Sequence, residues 1–490
     1  MNTNLKNIVV NREKEIEELE RRYNSDRPEF VAVYGRRRVG KTFLIDSVFN
    51  GRFTFKHAGL SPISGNQKKM EGKMKEQLKH FYNSLLIHGM KPSKYPTSWL
   101  EAFYMLELFL EERENDNKLV IFIDEIQWMD TPKSDFMSGL EAFWNNWVCY
   151  SHNVLLIVCG SSTSWILDKL INNYGGLYNR LTCQIKLEQF NLAECEKFLN
   201  YNNVNMSRYD IATTYMVLGG IPYYLEKINR EKSLGQNIDD LFFNKGAVLE
   251  NEFERLFSSI FTNASTIIKV VKAINSKRIG LSRSEIIDYT GIESSGELSS
   301  ILKALENGDF IIKYKPFGGS KNMLYKLIDP FCLFYLSFVD NKSIASTNFW
   351  MNNIDSQRTV VWKGLAYENV CFNHINQIKK SLEILGVSSN NYMWSKKGDI
   401  DSEGTQIDLI IDRKDNVVNM CEIKFYQDDF LIDKDYHLNI VRKARVLKEN
   451  IGKKRTSIIP ILITTFGIKN NEYRFDFNKV ITLDDLFKEV

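Results

Sequence analysis

Residues 35–42 read Gly-Arg-Arg-Arg-Val-Gly-Lys-Thr and lie between an apolar run, Phe30-Val31-Ala32-Val33-Tyr34, and a helical pattern beginning at Phe43. A strand that turns through two glycines into a helix leaves few folds open. Gly35 and Gly40 free the backbone to wrap its N–H groups around a polyphosphate, and the positive end of the new helix adds to the same anion. Arg36, Arg37, Arg38 and Val39 fill the loop. Lys41 supplies a charge for the outer phosphates, and the Thr42 hydroxyl suits Mg²⁺, which takes hard oxygen ligands and usually keeps water. Such spacing arises by chance often enough that a second half is required. Leu119-Val120-Ile121-Phe122-Ile123-Asp124-Glu125 supplies it, as a buried parallel strand ending in two carboxylates beside the loop. Asp124 is expected to hold the Mg²⁺ shell through water and Glu125 to polarise an attacking water, which makes ATP and Mg²⁺ the expected cofactors.

A chain of 490 residues exceeds one core and predicts about three domains. Sixty-four basic against sixty-one acidic residues give a formal net charge of +3, so any nucleic-acid binding must come from local patches. No apolar run reaches the length of a membrane span and residues 1–10 do not read as a secretory signal, so a cytoplasmic protein with no membrane partner is expected. The cysteines are scattered through apolar segments and read as reduced core residues, and the dispersed histidines give no zinc spacing.

Arg12-Glu13 opens a charged helix whose Ile16, Leu19 and Tyr23 share a face. Residues 53–55 read as a short strand, 68–86 as a helix, and 98–113 as an amphipathic helix with Trp99, Phe103, Leu106 and Leu110 on its apolar side. Residues 136–148 form a further helix and 153–159 a buried strand ending at Gly160-Ser161-Ser162. Another strand, 183–187, follows the loop Leu177-Tyr178-Asn179-Arg180. Strands alternating with helices predict an α/β domain with a parallel sheet. Ser161 or Ser162 is placed to sense a γ-phosphate, although a Gly-Ser-Ser turn is common in its own right. Arg180 reads equally as a surface cation or as an arginine finger reaching a neighbouring nucleotide.

Taken with Gly219-Gly220-Ile221-Pro222, these motifs resemble, in order and spacing, the archaeal-type ATPase family within the AAA-related STAND NTPases. The resemblance implies that the Gly-Gly-x-Pro stretch lies in a small helical lid and gives Pro222 a lid or sensor role near the nucleotide base. Asn179 stands where relatives often have glycine before the arginine.

After residue 265 the texture changes. Ile267, Ile268, Val271 and Ile274 form one helical face, Ser282 and Glu285 make a capping-box pair for a second helix, and residues 294–305 form a third. Strands at 310–315 and 323–327 around Gly318-Gly319 complete a winged-helix pattern with a two-stranded wing. Its third helix carries Glu297, Lys303 and Glu306, whereas Lys313, Lys315, Lys321 and Lys326 make the wing basic. A DNA reader needs several phosphate-paired cations, so an interdomain packing module fits this balance better. The run from Asp329 to Phe338 is too apolar for a flexible linker and is expected to pack.

A helix from residue 362 leads the last domain, with strands at 391–395, 406–413, 417–425 and 457–465 and a helix at 434–448. Glu422 and Lys424 alternate on one strand face, and the short Lys414-Asp415-Asn416 turn returns Asp408 beside them. Carboxylates can bind Mg²⁺ and polarise a phosphodiester while lysine stabilises the developing charge; on the spacing alone a solvated strand face is the favoured account. With Glu368 on the preceding helix, the arrangement is similar to the PD-(D/E)xK nuclease fold, and Ile407 stands where that motif has proline. The resemblance implies metal binding by Glu368, Asp408 and Glu422, and catalysis by Asp408, Glu422 and Lys424. Lys379, Lys380, Lys396, Lys397, Lys453, Lys454 and Arg455 offer a basic track for DNA.

The expected organisation is therefore a P-loop ATPase core over residues 1–190, a helical lid over 191–262 and a winged helix over 263–330. An aromatic connector over 331–360 and a restriction-endonuclease-like α/β domain over 361–490 complete it. Three functions stand open, the first leading: an ATP-driven switch controlling Mg²⁺-dependent cleavage of DNA, a regulatory ATPase whose later domains bind DNA or a protein without cutting, or an ATPase scaffold with no nucleic acid. A homo-oligomer is the assembly an arginine finger would need.

Overall fold

The computed structural model describes residues 9–61, 70–113, 117–151, 153–172, 175–261, 263–292, 296–318, 322–340, 347–396, 404–451 and 456–490. Lys321, Lys397, Lys453, Lys454, Arg455 and the start of the helix expected from residue 294 lie outside them. The chain divides into two units, Met1–Gln189 with Leu256–Ala264, and Phe190–Arg255 with Ser265–Val490.

In the first unit, strands β1 (Glu29–Tyr34), β2 (Phe53–Ala58), β3 (Leu119–Asp124), β4 (Val154–Gly160) and β5 (Cys183–Lys186) form one parallel sheet in the order β2-β3-β4-β1-β5. Every residue of β3 and β4 is buried, which is why both read as unbroken apolar runs. The strand of the phosphate loop and the acidic strand are not neighbours: β4 lies between them, so its tip at Gly160-Ser161 sits between the two motifs. The amphipathic helix Trp99–Glu111 buries the expected face, Trp99, Phe103, Leu106 and Leu110. It packs on helix Phe136–Asn146 through Phe103–Phe143 rings 5.4 Å apart and a Trp99–Phe136 edge contact at 4.9 Å.

The second unit opens with helices Leu192–Tyr201, Arg208–Leu218, Pro222–Leu225 and Leu234–Phe242. Helices Arg283–Thr290 and Gly296–Asn307 accompany an antiparallel sheet of β6 (Leu281–Ser282), β7 (Ile311–Tyr314) and β8 (Leu324–Leu327), in the order β6-β8-β7. The Ser282–Glu285 capping box forms as expected. The expected two strands become three because Leu281 and Ser282 pair with Tyr325 and Leu324. Lys326 is not a basic wing residue: it is 4% exposed, its ammonium donating to Met393 Sδ at 3.1 Å.

The aromatic run folds as helix Pro330–Phe334 and one further turn, with Phe331, Phe334, Tyr335 and Phe338 all buried. Phe331 stacks on Tyr224 at 5.0 Å, and Phe334 and Phe338 meet Trp350 and Trp362 at 5.2–5.4 Å. Strands β9 (Ser389–Lys396), β10 (Thr405–Arg413), β11 (Val417–Lys424), β12 (Ser457–Thr464) and β13 (Lys479–Ile481) form a mixed sheet in the order β13-β12-β11-β10-β9. Helix Lys434–Ile451 closes one face, with Ile440 and Leu447 against Ile410, Met420 and Leu462. All the cysteines are free thiols and, Cys149 apart, buried. Among the described residues no helix is long and apolar enough to cross a membrane.

Candidate functional site

From Tyr34 at the end of β1 the chain turns into helix Lys41–Phe49 through Gly35 (φ 141°), Arg38 (φ 72°) and Gly40 (φ 94°). A Cβ at Gly35 would lie 2.2 Å from the Leu187 carbonyl oxygen, so the sharp exit from the strand tolerates glycine alone. Gly40 caps the helix without a side chain, leaving the first-turn N–H groups to an anion. Val39 and Arg36 are buried, Arg37 and Arg38 half-buried. Lys41 is 6% exposed and donates to the carbonyls of Gly35 at 2.9 Å and Arg36 at 2.8 Å; burial lowers its pKa. An ammonium whose hydrogen bonds go to neutral carbonyls transfers readily to a phosphate, because the charge-assisted bond is the stronger one. Arg12 braces the surrounding structure, its guanidinium donating to the Glu188 carbonyl at 2.7 Å.

Thr42 Oγ1 donates to Asp124 Oδ2 at 2.7 Å, joining the two motifs. A hydroxyl and a carboxylate beside a phosphate cradle are the oxygen donors Mg²⁺ takes when phosphates and water complete its shell, so these residues fit that ion. Burial raises the Asp124 pKa. Glu125 follows in a left-handed conformation (φ 46°), and its Oε2 accepts from Ser161 Oγ at 2.7 Å and from Gln127 Nε2 at 2.5 Å. Gln127 Nε2 also approaches Ser161 Oγ at 3.2 Å. The structure thus brings Lys41, Thr42, Asp124, Glu125 and Ser161 together, and of the two candidate serines it is Ser161 that joins the network. Arg180 is exposed on its loop and makes no ion pair among the described residues. Pro222, in the second unit, is the first residue of helix Pro222–Leu225. A Cβ at the neighbouring Gly220 would come within 1.8 Å of the Phe190 carbonyl oxygen, which explains the Gly-Gly-x-Pro spelling locally.

Within the second unit, Glu368 on helix Gln357–Asn373, Asp408 on β10, and Glu422 and Lys424 on β11 line one cavity of about 650 Å³. The β9–β10 register shifts between Ile407 and Ile410, a bulge that re-aims Asp408. Asp408 Oδ2 accepts from the Ile423 N–H at 3.0 Å, which ties the two strands at the site. Each carboxylate already has a cation. Arg278, on the turn before β6, donates from Nε to Glu368 Oε2 at 3.0 Å, from Nη2 to Glu368 Oε1, and from Nη2 to Asp408 Oδ1 at 3.0 Å. Lys443 binds both oxygens of Glu422 at 2.7 and 2.8 Å. Burial, with Asp408 adding, pushes the Glu422 carboxyl up to about 7 against the pull of Lys443. Burial brings Lys326 down to about 8, opposed by Glu368 and Asp408. Lys424 makes no direct ion pair among the described residues, although its charge acts on Glu422, and it lies 5.4 Å from the Tyr436 ring centre. Among the described residues no three His, Cys, Asp or Glu side chains gather closely enough to hold an ion. The donors are hard oxygens and a cation sits between two of them, so their chemistry fits Mg²⁺ while their present partners exclude it.

Residues 9–228 match the family described as an ATPase domain predominantly from Archaea. That stretch is an archaeal-type ATPase domain. Over 461 residues, 92% of this chain and 95% of the other, the sequence is 25% identical to an uncharacterized protein of Methanocaldococcus jannaschii. Among solved structures it is similar to the Walker-type ATPase of Pyrococcus abyssi, at 19% identity and a TM-score of 0.46 over 67% of this chain and 96% of that one. It is also similar to the Aeropyrum pernix ORC2 protein in its ADPNP–ADP complexes, at 13% identity and a TM-score of 0.40 over 66% of this chain and 91% of that one.

Three residues outside the sequence motifs complete these sites. Gln127 of the ATPase domain lies two positions past Glu125, and the tight helical turn Ile126–Trp128 brings its amide back to that carboxylate. Its closeness to the Asp-Glu pair was the available signal. Arg278 and Lys443 lie 130 residues before Asp408 and 21 after Glu422, and no local pattern marks them.

Proposed function

We propose that the ATPase domain works as an ATP-hydrolysing switch over a C-terminal nuclease-like module that cuts DNA with Mg²⁺. The observation that carries the second half is the single cavity shared by Glu368, Asp408, Glu422 and Lys424. In the ATPase domain, Lys41 meets the outer phosphates, Thr42 and Asp124 hold Mg²⁺, and Glu125 orients the attacking water, with Ser161 linking that carboxylate to the γ-phosphate. Mg²⁺ neutralises phosphate charge when bound. Pro222 has a lid or sensor role, and Arg180, exposed, serves a neighbouring subunit's nucleotide in a homo-oligomer. In the nuclease-like module, Glu368, Asp408 and Glu422 hold the divalent ion, and Lys424 steadies the charge that develops on the scissile phosphate. The winged-helix segment couples the two in a cytoplasmic protein. The aromatic connector supports that coupling, because a packed segment transmits rigid-body motion where a Gly/Ser tether would not.

A second reading, binding without cleavage, is favoured by the pairing of all three carboxylates with Arg278 and Lys443. One experiment separates the two. Purified protein is incubated with plasmid, single-stranded DNA and RNA, with and without ATP and Mg²⁺, beside Glu422→Ala. Mg²⁺-dependent cleavage lost in Glu422→Ala supports the nuclease; DNA retained without cleavage in every condition supports the binding module.

A further inference from the structure

Arg278 is the unusual member of the C-terminal site. It comes from the turn Ser276–Gly280, outside the β9–β13 sheet and its helices, yet its guanidinium bridges two of the three carboxylates. The turn is firmly built. Gly280 has φ +84° and a Cβ there would meet the Tyr325 carbonyl oxygen at 2.1 Å, while Tyr314 Oη donates to the Ile279 carbonyl at 2.5 Å. The backbone under Arg278 is therefore fixed, and only the side chain is free to change partners. Its side chain remains 34% exposed and lines the cavity, whereas those of Glu368 and Asp408 are 7% and 9% exposed.

A guanidinium fork fits a carboxylate and a phosphate by the same geometry, with two parallel N–H donors and a charge that is never lost. Two close, buried carboxylates repel each other, and Arg278 is the cation that offsets the repulsion in this arrangement. Resting on the nuclease reading above, we propose that Arg278 is a phosphate-binding residue of that site, lent by the neighbouring segment and parked on its metal ligands. Once Glu368 and Asp408 turn to a divalent ion, the guanidinium is released by a side-chain rotation into the same cavity, where the phosphodiester of a nucleic-acid strand is its next partner. Lys326, buried behind the pair, stays in place through the exchange and limits the repulsion between the carboxylates. The metal and the strand then bind with positive coupling, because each removes a partner that the other would displace.

This makes the two effects of Arg278→Ala opposite in sign. In nucleotide-free full-length protein, calorimetric titration with Mn²⁺ should show about tenfold tighter binding in Arg278→Ala, because no resident cation competes. Fluorescence anisotropy with a labelled oligonucleotide, in Ca²⁺ to hold the site without turnover, should show about tenfold weaker binding, with Arg278→Lys between the two. An inhibitory plug would leave DNA binding unchanged or stronger, and a structural brace would weaken Mn²⁺ and DNA binding together with the melting temperature. Either result overturns the proposal. If the parent, Arg278→Ala and Arg278→Lys all fail to bind Mn²⁺ while Glu368→Ala behaves the same, the nuclease reading itself falls, and the proposal with it.

Discussion

The two candidate sites treat their charges in opposite ways. In the first unit a single buried lysine is held by two neutral carbonyls, beside a helix start with no side-chain cap. In the second, Glu368, Asp408 and Glu422 are matched by Arg278 and Lys443, with Lys326 buried nearby. The first is a positive site waiting for an anion, and binding there costs the protein only weak internal bonds. The second is neutralised from within, so a metal or phosphate enters only by exchanging places with a side chain. A phosphate loop can therefore be complete before its ligand arrives, while the carboxylate cluster is complete through partners that any incoming metal would have to displace.

Removal of the lysine is the strongest way to break this comparison. Lys41→Ala should weaken ATP binding by about a hundredfold, since the ammonium's bonds to phosphate have no substitute. Its effect on folding should be slight, because the loss of two hydrogen bonds is offset by removal of a buried ammonium's desolvation cost. Equilibrium binding of a fluorescent ATP analogue and a melting curve read the two effects, and a large fall in melting temperature with ATP affinity intact would invert the account.

The opposite pattern is expected at Lys443. Lys443→Met leaves Glu422, fully buried, without its ion-pair partner, and breaking such a pair typically costs about 3–5 kcal/mol. Urea unfolding should report that loss while ATP binding stays at the parental value. A stability change below about 1 kcal/mol would mean that the pair is dispensable and that the second site is not charge-saturated.

The same contrast governs what was legible in the sequence. Residues 35–42 specify their site by contiguous spelling, and the strand that ends in Asp124-Glu125 announces itself as an apolar run. What spacing could not give was the intervening β4, which depends on how crossovers are threaded and which places Ser161 on Glu125. Asp408, Glu422 and Lys424 were legible because a strand alternates every two residues and Asn416, at φ 63°, closes a short turn. The bulge at Asp408 was not, since its cause lies in pairing with β9. Residue type alone marks Lys326 as a solvent-facing cation. Its burial makes sense only with Glu368 and Asp408 nearby, and those contacts span 42 and 82 positions of sequence.

A smaller effect distinguishes the units by pH. His374 is fully buried in the second unit, its Nε2 accepting from the Leu192 N–H at 2.9 Å and its Nδ1 hydrogen-bonded to the Val370 carbonyl at 2.7 Å. Those partners fix the neutral tautomer with the proton on Nδ1, and burial lowers the pKa to about 4 from the ordinary 6.5. As pH falls, the unfolded chain takes up its proton first, so stability is complete above pH 6.5, declines between 6.5 and 4, and loses nothing more from this group below 4. The full difference is about 3 kcal/mol. His57 in the first unit titrates still lower, near 3, so the comparison needs a variant rather than the parent alone. Unfolding free energies of the parent and His374→Asn at pH 7.5 and 4.5 should converge at the lower pH; parallel values would show that His374 is not the group responsible.

The subtlest test concerns how the first site holds Glu125. Ser161 Oγ and Gln127 Nε2 both donate to Oε2, which leaves Oε1 as the oxygen available to a water. Neither donor touches the phosphate loop in this arrangement, so Gln127→Leu should lower kcat by about tenfold while the Kd for ATP is retained. Ser161→Ala, which also removes the proposed γ-phosphate contact, should lower kcat by about as much with a smaller loss of ATP affinity. Gln127 and Ser161 also lie within hydrogen-bond distance of each other, at 3.2 Å, so they act on the carboxylate as one unit. The double variant should therefore lose less than the product of the two single losses, by about 1 kcal/mol of coupling. Glu125→Gln sets the floor of the same assay, with binding kept and hydrolysis slowed further than in any donor variant. Strict multiplicativity of the two donor variants would mean that each reaches the reaction by its own route. A loss of ATP affinity in Gln127→Leu would instead move that glutamine from the carboxylate to the phosphates, and the line between holding the nucleotide and holding the water would have to be redrawn.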